Sequence, residues 1–345
     1  MEYKYHSFLD NRSIEDAKDI FKQRLDDATY IYNKYKKEFV TRSCPYCGSD
    51  KFVNIDKFHN MFGVDKCTVC NSTFSNPVPN IEAISDYYEN CKCNRQLSQV
   101  IKKRYSDNDF INDHRVQLIF SQIDKLINYQ KKISILEVGC NNGAFLSKLN
   151  QALQYKYNEC LFELSGVDID VDAINNPVDS GLNLFHGLAE DIADSHTNNY
   201  DLIIHFELIE HLIDPTLFVQ SIYKMLNNKG IMVFTTPNIL GLDNQALGYN
   251  NIRYLAHAIF PPMHLNAFST QNIAHFLIIN DFMVDEIQTP GMFDMDMLNH
   301  CMENIGDSLF KDIACLDMNT RALMQKFLVR MGVSSHMQCV ATKKP

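Results

Sequence analysis

The sequence has no run of about 18 apolar residues, so no stretch of it is built to cross a bilayer as a helix. Its first 30 residues are charged and hold no apolar core. A secretory signal needs such a core, and its absence sets the expectation of a cytoplasmic chain with reduced thiols. Positive charge is also short. Lys and Arg number 32 against 42 Asp and Glu, a net charge of −10. That argues against a broad electrostatic nucleic-acid surface and leaves room only for a local basic patch. No basic-aromatic stripe appears, so RNA is disfavoured as a partner. Apolar residues make up 46% and charged residues 21%, which places the chain among globular proteins. Its 345 residues suffice for two or three domains. The cysteines number eleven, an odd count, and read as free thiols and metal ligands rather than disulfides.

Residues 133–146 organise the rest. Ile133 to Val138 is an apolar run that reads as a buried strand. Gly139 and Gly143 punctuate a tight loop, and Ala144 to Leu149 continues at helical spacing. Strand, glycine turn and helix together bring backbone N–H groups to the mouth of a parallel sheet. About thirty residues on, Asp168 ends a second apolar run, where a carboxylate can accept both hydroxyls of a ribose. The G-x-G-x-x-G spacing is missing, which disfavours a dinucleotide-binding loop.

Glu137-Val-Gly139-Cys140-Asn141-Asn-Gly143, followed by Gly166-Val-Asp168, resembles the cofactor site of class I S-adenosylmethionine-dependent methyltransferases. Three further stretches resemble that family: Tyr200 to His211, Gly230 to Asn238 and Pro262 to Ser269. The likeness covers roughly residues 131–290, with its motifs in family order. It implies an α/β fold: a Rossmann-like seven-stranded sheet with helices on both faces. It also implies S-adenosylmethionine as cofactor, held by Gly139, Cys140, Asn141, Gly143, Asp168, Ile169 and Phe206, with Glu137 supporting the loop. Asn141 stands where the family usually has glycine; Asn tolerates the left-handed conformation. The adenine loop follows the expected strand Leu182–His186. There Leu188 takes the usual acidic place, which leaves Ala189, through its backbone, and Glu190 as candidates.

Along the chain, residues 1–42 hold an amphipathic helix over 13–38, with Ser13 as N-cap and Ile20, Phe21, Leu25, Ala28, Ile31 and Tyr32 on one face. It reads as a packing or dimer helix. Residues 43–78 form the second strong signal. Cys44-x₂-Cys47 and Cys67-x₂-Cys70 have the spacing of a four-thiolate zinc ribbon. Four thiolates leave no open position, so the zinc is expected to be structural; Cys91 and Cys93 read as free. Residues 79–130 read as a helical connector, with Tyr87, Tyr88 and Tyr105 candidates for the substrate side. The methyltransferase domain then fills 131–345. It includes a lid at 239–262, with Tyr249, Tyr254 and His257. A helical insertion with two helices lies at 289–335, between the last strands Phe282–Gln288 and Met337–Thr342. The insertion is expected to shape the acceptor pocket or a dimer contact.

Glu207-Leu-Ile-Glu210-His211 follows the fourth strand. In a helical turn, positions i, i+3 and i+4 share one face and would converge at the carboxyl end of the sheet. Two readings compete. In one, Glu207, Glu210, His211 and His264 bind a divalent cation such as Mg²⁺ or Mn²⁺. In the other, His211 or His264 is the general base, with Glu210 beside it. The E-x-x-E-H pattern resembles two metal-dependent branches of the family, which methylate polyprenyl catechols and the terminal ribose of small RNAs. Asn238 is a candidate acceptor contact. The zinc ribbon ahead of the domain resembles bacterial enzymes that modify sugars of glycans or antibiotics. This sets the expectation of O-methylation of a sugar or sugar nucleotide. The alternatives are methylation of RNA ribose, of a sugar carbon or of a quinone precursor, and a degenerate fold that only binds.

Overall fold

The computed structural model describes residues 14–91, 93, 110–129, 131–253 and 257–345. Ser13, Tyr105 and Tyr254 lie outside them. Helix α1 (Ile14–Tyr35) buries Phe21, Ala28, Ile31 and Tyr35, with Leu25 and Tyr32 packed beside them. The next strands, β1 (Phe52–Phe58), β2 (Phe62–Cys67) and β3 (Thr73–Ser75), form an antiparallel meander. The Asn80 side chain accepts from the Ala83 N–H and so starts α2 (Ile81–Asn90).

Helix α3 (Phe110–Leu126) leads into the main sheet. Its strands are β4 (Lys132–Val138), β5 (Leu161–Asp168), β6 (Asn183–His186), β7 (Tyr200–Phe206) and β8 (Leu226–Pro237). Helices α4 (Ala144–Lys156), α5 (Val171–Asn175), α6 (Ala189–Ile192) and α7 (Pro215–Met225) connect them. After β8 come α8 (Leu242–Leu247), the two-residue β9 (Asn266–Ala267), α9 (Thr270–Ile279) and β10 (Phe282–Gln288). Three helices follow: α10 (Asp294–His300), α11 (Ser308–Ala314) and α12 (Met318–Arg330). Strand β11 (His336–Lys343) closes the sheet.

The sheet order is β10-β11-β8-β7-β4-β5-β6. Strands β8 to β6 are parallel, and β10 and β11 run antiparallel at one edge. This is the seven-stranded α/β sheet read from the sequence. Successive residues alternate between its faces. Ile203 and Met232 pack with α7 and α9, whereas Ile204 and Val233 pack with α3 and α4. Burial on both sides explains why these strands are apolar throughout.

Two elements differ in detail from expectation. Strand β8 begins at Leu226 rather than Gly230, because Lys229 takes φ 63° and carries the chain through the expected turn within the strand. The segment after β8, read as a lid, packs closely: Ile239, Leu247, Arg253, His257, Ile259 and Phe260 are buried. The insertion holds three short helices where two were expected; Asp307 and Asp317 each cap a new helix start. Among the described residues, no helix is long and apolar enough to cross a membrane.

Candidate active site

The glycine loop crosses the carboxyl ends of β4 and β5. The Gly139 N–H donates to the Val167 carbonyl at 2.8 Å, and the Gly143 N–H donates to Cys140 O at 2.9 Å. Gly139, Asn141 and Gly143 all take positive φ, at 77°, 49° and 79°. Asn141 therefore fills the family's glycine position in a left-handed conformation. A Cβ on Gly143 would sit 2.7 Å from Leu182 Cδ1, so the residue is needed for close approach as well as for φ. Asp168 ends β5, where its carboxylate accepts from the Asn141 N–H at 2.7 Å and from the Asp170 N–H at 2.8 Å. It thus holds the loop, and its remaining lone pairs are left for a ligand.

Glu137 is buried at the end of β4, and its Oε2 has no partner. Burial pushes its pKa up to about 8, while Arg115 pulls it down. Arg115, on α3, lies 4.3 Å above the Phe206 ring, which meets Phe145 edge-on at 5.1 Å. Arg115 escaped the sequence reading because no motif marks it; only its place on the helix entering β4 is a hint. An orphaned buried carboxyl oxygen, a guanidinium, an aromatic face and a glycine cradle fit an amino-acid-bearing nucleoside such as S-adenosylmethionine. Of the other residues read for this pocket, Ala189 is buried and Glu190 half-buried at the start of α6, while Ile169 is exposed. The Cys140 sulfur lies under the loop, 3.5 Å from the Asn141 carbonyl. It packs against Gly166 in the core, so only the residue's backbone faces the pocket.

A second cluster lies beside it. Glu210, His211 and His264 bring ligand atoms within 4.8 Å of one another. Their ring geometry fixes the tautomers. His264 Nδ1 lies 2.8 Å from the His257 carbonyl, and His211 Nδ1 lies 3.0 Å from the Met263 carbonyl. A carbonyl only accepts, so each Nδ1 carries the proton and each Nε2 keeps its lone pair. The Glu210 Oε2 accepts from Thr236 Oγ1 at 3.0 Å, and its Oε1 is buried without a hydrogen-bond partner, 3.8 Å from His211 Nε2. Burial depresses both imidazoles, His211 to about 4, and raises Glu210 well above the carboxylate range.

Glu207 sits at the edge of the expected foursome: its charge acts on Glu210 and His211, but the three converging ligand atoms come together without it. It takes φ 50°, so the helical turn starts only at Ile209. Its carboxylate instead accepts from Thr235 Oγ1 at 2.8 Å and sits 3.6 Å from His336 Nδ1. Asn238 is fully buried and donates to the Ser334 carbonyl, which ties the loop after β8 to the segment before β11.

The four cysteines Cys44, Cys47, Cys67 and Cys70 converge. Cys44 and Cys70 sulfurs are 3.5 Å apart, and Cys47 and Cys67 sulfurs 3.6 Å. A zinc tetrahedron with bonds of about 2.3 Å has sulfur–sulfur edges of about 3.8 Å. The set therefore fits a tetrahedral ion after small adjustments. Cys91 and Cys93 are buried elsewhere and are not part of it. A groove of about 820 Å³ runs past Cys44 and Cys47, but it holds none of the glycine-loop or Glu210 residues.

Sheet order, glycine loop and strand-end carboxylate together define a class I methyltransferase fold. The methyltransferase-domain family matches residues 111–287, more than half of the chain, and the chain belongs to that family. Among curated proteins, it is 28% identical to a ubiquinone biosynthesis O-methyltransferase of Bartonella bacilliformis over 116 residues, 31% of this chain and 42% of that one. A protein of the same name from Hydrogenovibrio crunogenus is 24% identical over 131 residues, 36% of this chain and 51% of its own. The chain thus spans about half or less of the length of these relatives. Among solved structures, the plantazolicin methyltransferase aligns at 14% identity and TM-score 0.49, over 76% of this chain and 94% of that one. A SAM-dependent methyltransferase from Archaeoglobus fulgidus aligns at 16% identity and TM-score 0.39, over 66% and 94%.

Proposed function

We propose that this protein transfers a methyl group from S-adenosylmethionine to one hydroxyl of a vicinal oxygen pair, with a divalent cation on Glu210, His211 and His264. One observation carries the reading. Two imidazoles with Nδ1–H tied to backbone carbonyls, and one bare carboxylate oxygen, aim at a common point beside the cofactor loop. That is the protonation pattern metal ligation needs. A free-base role is less well supported, because an imidazole with a value of about 4 takes up little proton at neutral pH.

When bound, S-adenosylmethionine supplies a methyl group activated on a sulfonium. A divalent ion such as Mg²⁺ or Mn²⁺ supplies chelation of two oxygens and a lower pKa for the attacking one. The chain's own residues bind and orient. Asp168 receives the ribose hydroxyls, Glu137 and Arg115 face the amino-acid end, and Thr236 aims Glu210. Alignment of donor and acceptor provides much of the rate.

For the acceptor, we propose a sugar or sugar nucleotide, with zinc held structurally by the ribbon cysteines. A catechol-type quinone precursor is the second reading, favoured by the names of the curated relatives. The test is methylation of sugar nucleotides, of a catechol and of short RNA, each with EDTA and with added Mg²⁺ or Mn²⁺. Methylation of a diol that stops in EDTA and returns with metal is expected. EDTA-resistant turnover would overturn the metal assignment. Turnover on RNA alone would overturn the acceptor class.

A further inference from the structure

The acceptor-side triad does not stand on the methyltransferase domain alone. His264 lies two residues before β9, and β9 is the fourth strand of the ribbon sheet, in the order β1-β2-β3-β9. Thr73 pairs with Ala267 and Phe74 with Asn266, and the Ser75 N–H donates to the Leu265 carbonyl at 2.8 Å. The Leu265 N–H in turn donates to the Glu210 carbonyl at 2.8 Å. One short chain of backbone bonds thus runs from the ribbon through the segment after His264 to Glu210.

Arg42 clamps the same joint. Its guanidinium donates to the Ile213 carbonyl at 2.7 Å, to the Leu265 carbonyl at 3.1 Å and to Asn266 Oδ1 at 3.0 Å. These contacts join the segment before the first ribbon cysteine to both loops that carry the triad. The helix after the ribbon makes a second, independent approach. Tyr88, on α2, places its hydroxyl 3.1 Å from His211 Nδ1. Because Met263 O only accepts, the single Nδ1–H is shared between that carbonyl and the phenol oxygen. Helix α2 is held in turn by α1. Asp86, next in sequence to the buried Tyr87, accepts from Lys34 at 2.8 Å and from Tyr35 at 3.0 Å.

Resting on the functional reading above, we propose that the N-terminal module is a working part of the acceptor site. Tyr88 is a positioning residue for His211, and the ribbon strand β3 with Arg42 positions His264. Neither residue lies within the family match at 111–287. In this protein the module therefore supplies orientation that the common domain lacks. Outer partners of a ligating imidazole fix its ring, and losing one weakens a metal about ten-fold or more.

The experiment uses full-length, zinc-loaded protein with Tyr88→Phe and Arg42→Met. Ring-nitrogen NMR of ¹⁵N-histidine protein and Mn²⁺ calorimetry are the readouts, with S-adenosylmethionine affinity as control. Tyr88→Phe is expected to shift the His211 ring signals, and Arg42→Met those of His264. Each should weaken Mn²⁺ about ten-fold while cofactor affinity holds. Unmoved histidine signals in both variants would overturn the proposal. If wild-type protein binds no Mn²⁺, the metal reading fails on its own, and the ring signals still decide the positioning role. Tyr88→Phe removes one oxygen and keeps the packing, so a folding defect in Arg42→Met leaves the question decidable.

Discussion

Asp168 and Glu137 are both acids at strand ends, but they carry different tasks. Asp168 already accepts two backbone N–H groups and keeps lone pairs free, which the proposed site assigns to a ribose. Asp168→Ala should weaken S-adenosylmethionine by about ten- to a hundred-fold, the usual effect of losing a hydrogen bond to a charged group. Calorimetry checks this, and unchanged affinity would remove Asp168 from the site. Glu137 behaves differently because it is buried. Its folded value of about 8 exceeds the ordinary 4.5. As pH rises through that window, the unfolded carboxyl ionises and the folded one does not, so the wild type loses stability. Glu137→Gln should thus gain on the wild type from about pH 4.5 to 8 in cofactor-free thermal melts. Parallel melting curves across that range would contradict a buried, protonated acid. A third comparison separates Glu207 from Glu210. Glu210→Gln should abolish metal-dependent turnover, whereas Glu207→Gln, whose carboxylate is held by Thr235 outside the triad, should keep most of it. Equal losses would restore Glu207 to the triad.

At the scale of elements, the strands and the glycine loop were legible because they obey local rules. Apolar runs buried on both faces, a glycine pair and a strand-end aspartate each have a short-range signature. The C-x₂-C pairs were legible for the same reason. Glu207 was misplaced because helical spacing was assumed for a turn that a single positive φ interrupts. Arg115 and the β3–β9 pairing were not legible. Each depends on which distant elements meet, and no local pattern records that. The α1–α2 clamp is a further case, and it predicts an acid sensitivity. Hydrogen bonding from Lys34 holds Asp86 at about 2, below its ordinary 3.8. Its contribution is complete above about pH 4 and disappears as pH falls through 2. Asp86→Asn should abolish that step, and amide exchange in α2 reads it. Exchange with the same acid profile in both proteins would remove Asp86 as the cause.

For the whole molecule, the ribbon sheet takes its fourth strand, β9, from the segment between β8 and β10 but shares no strand with the seven-stranded sheet, so metal content should affect the ribbon first. Purified protein is expected to carry about one zinc. Stripping it with a strong chelator should unfold 43–78 and leave the parallel sheet with its far-ultraviolet signature. Metal analysis that finds no zinc in a folded chain would refute the ribbon assignment. The pairing of Thr73 with Ala267 also orders events in time. During synthesis the N-terminal strands emerge first, and their partner is made only after most of the large sheet. Until then β3 is an open edge, and its three residues are too few to template association with another chain. Closing so long a loop is entropically slow and comes late in folding. On the proposed reading, the acceptor side is complete only once Thr73 meets Ala267, and a chain ending before β9 would lack it.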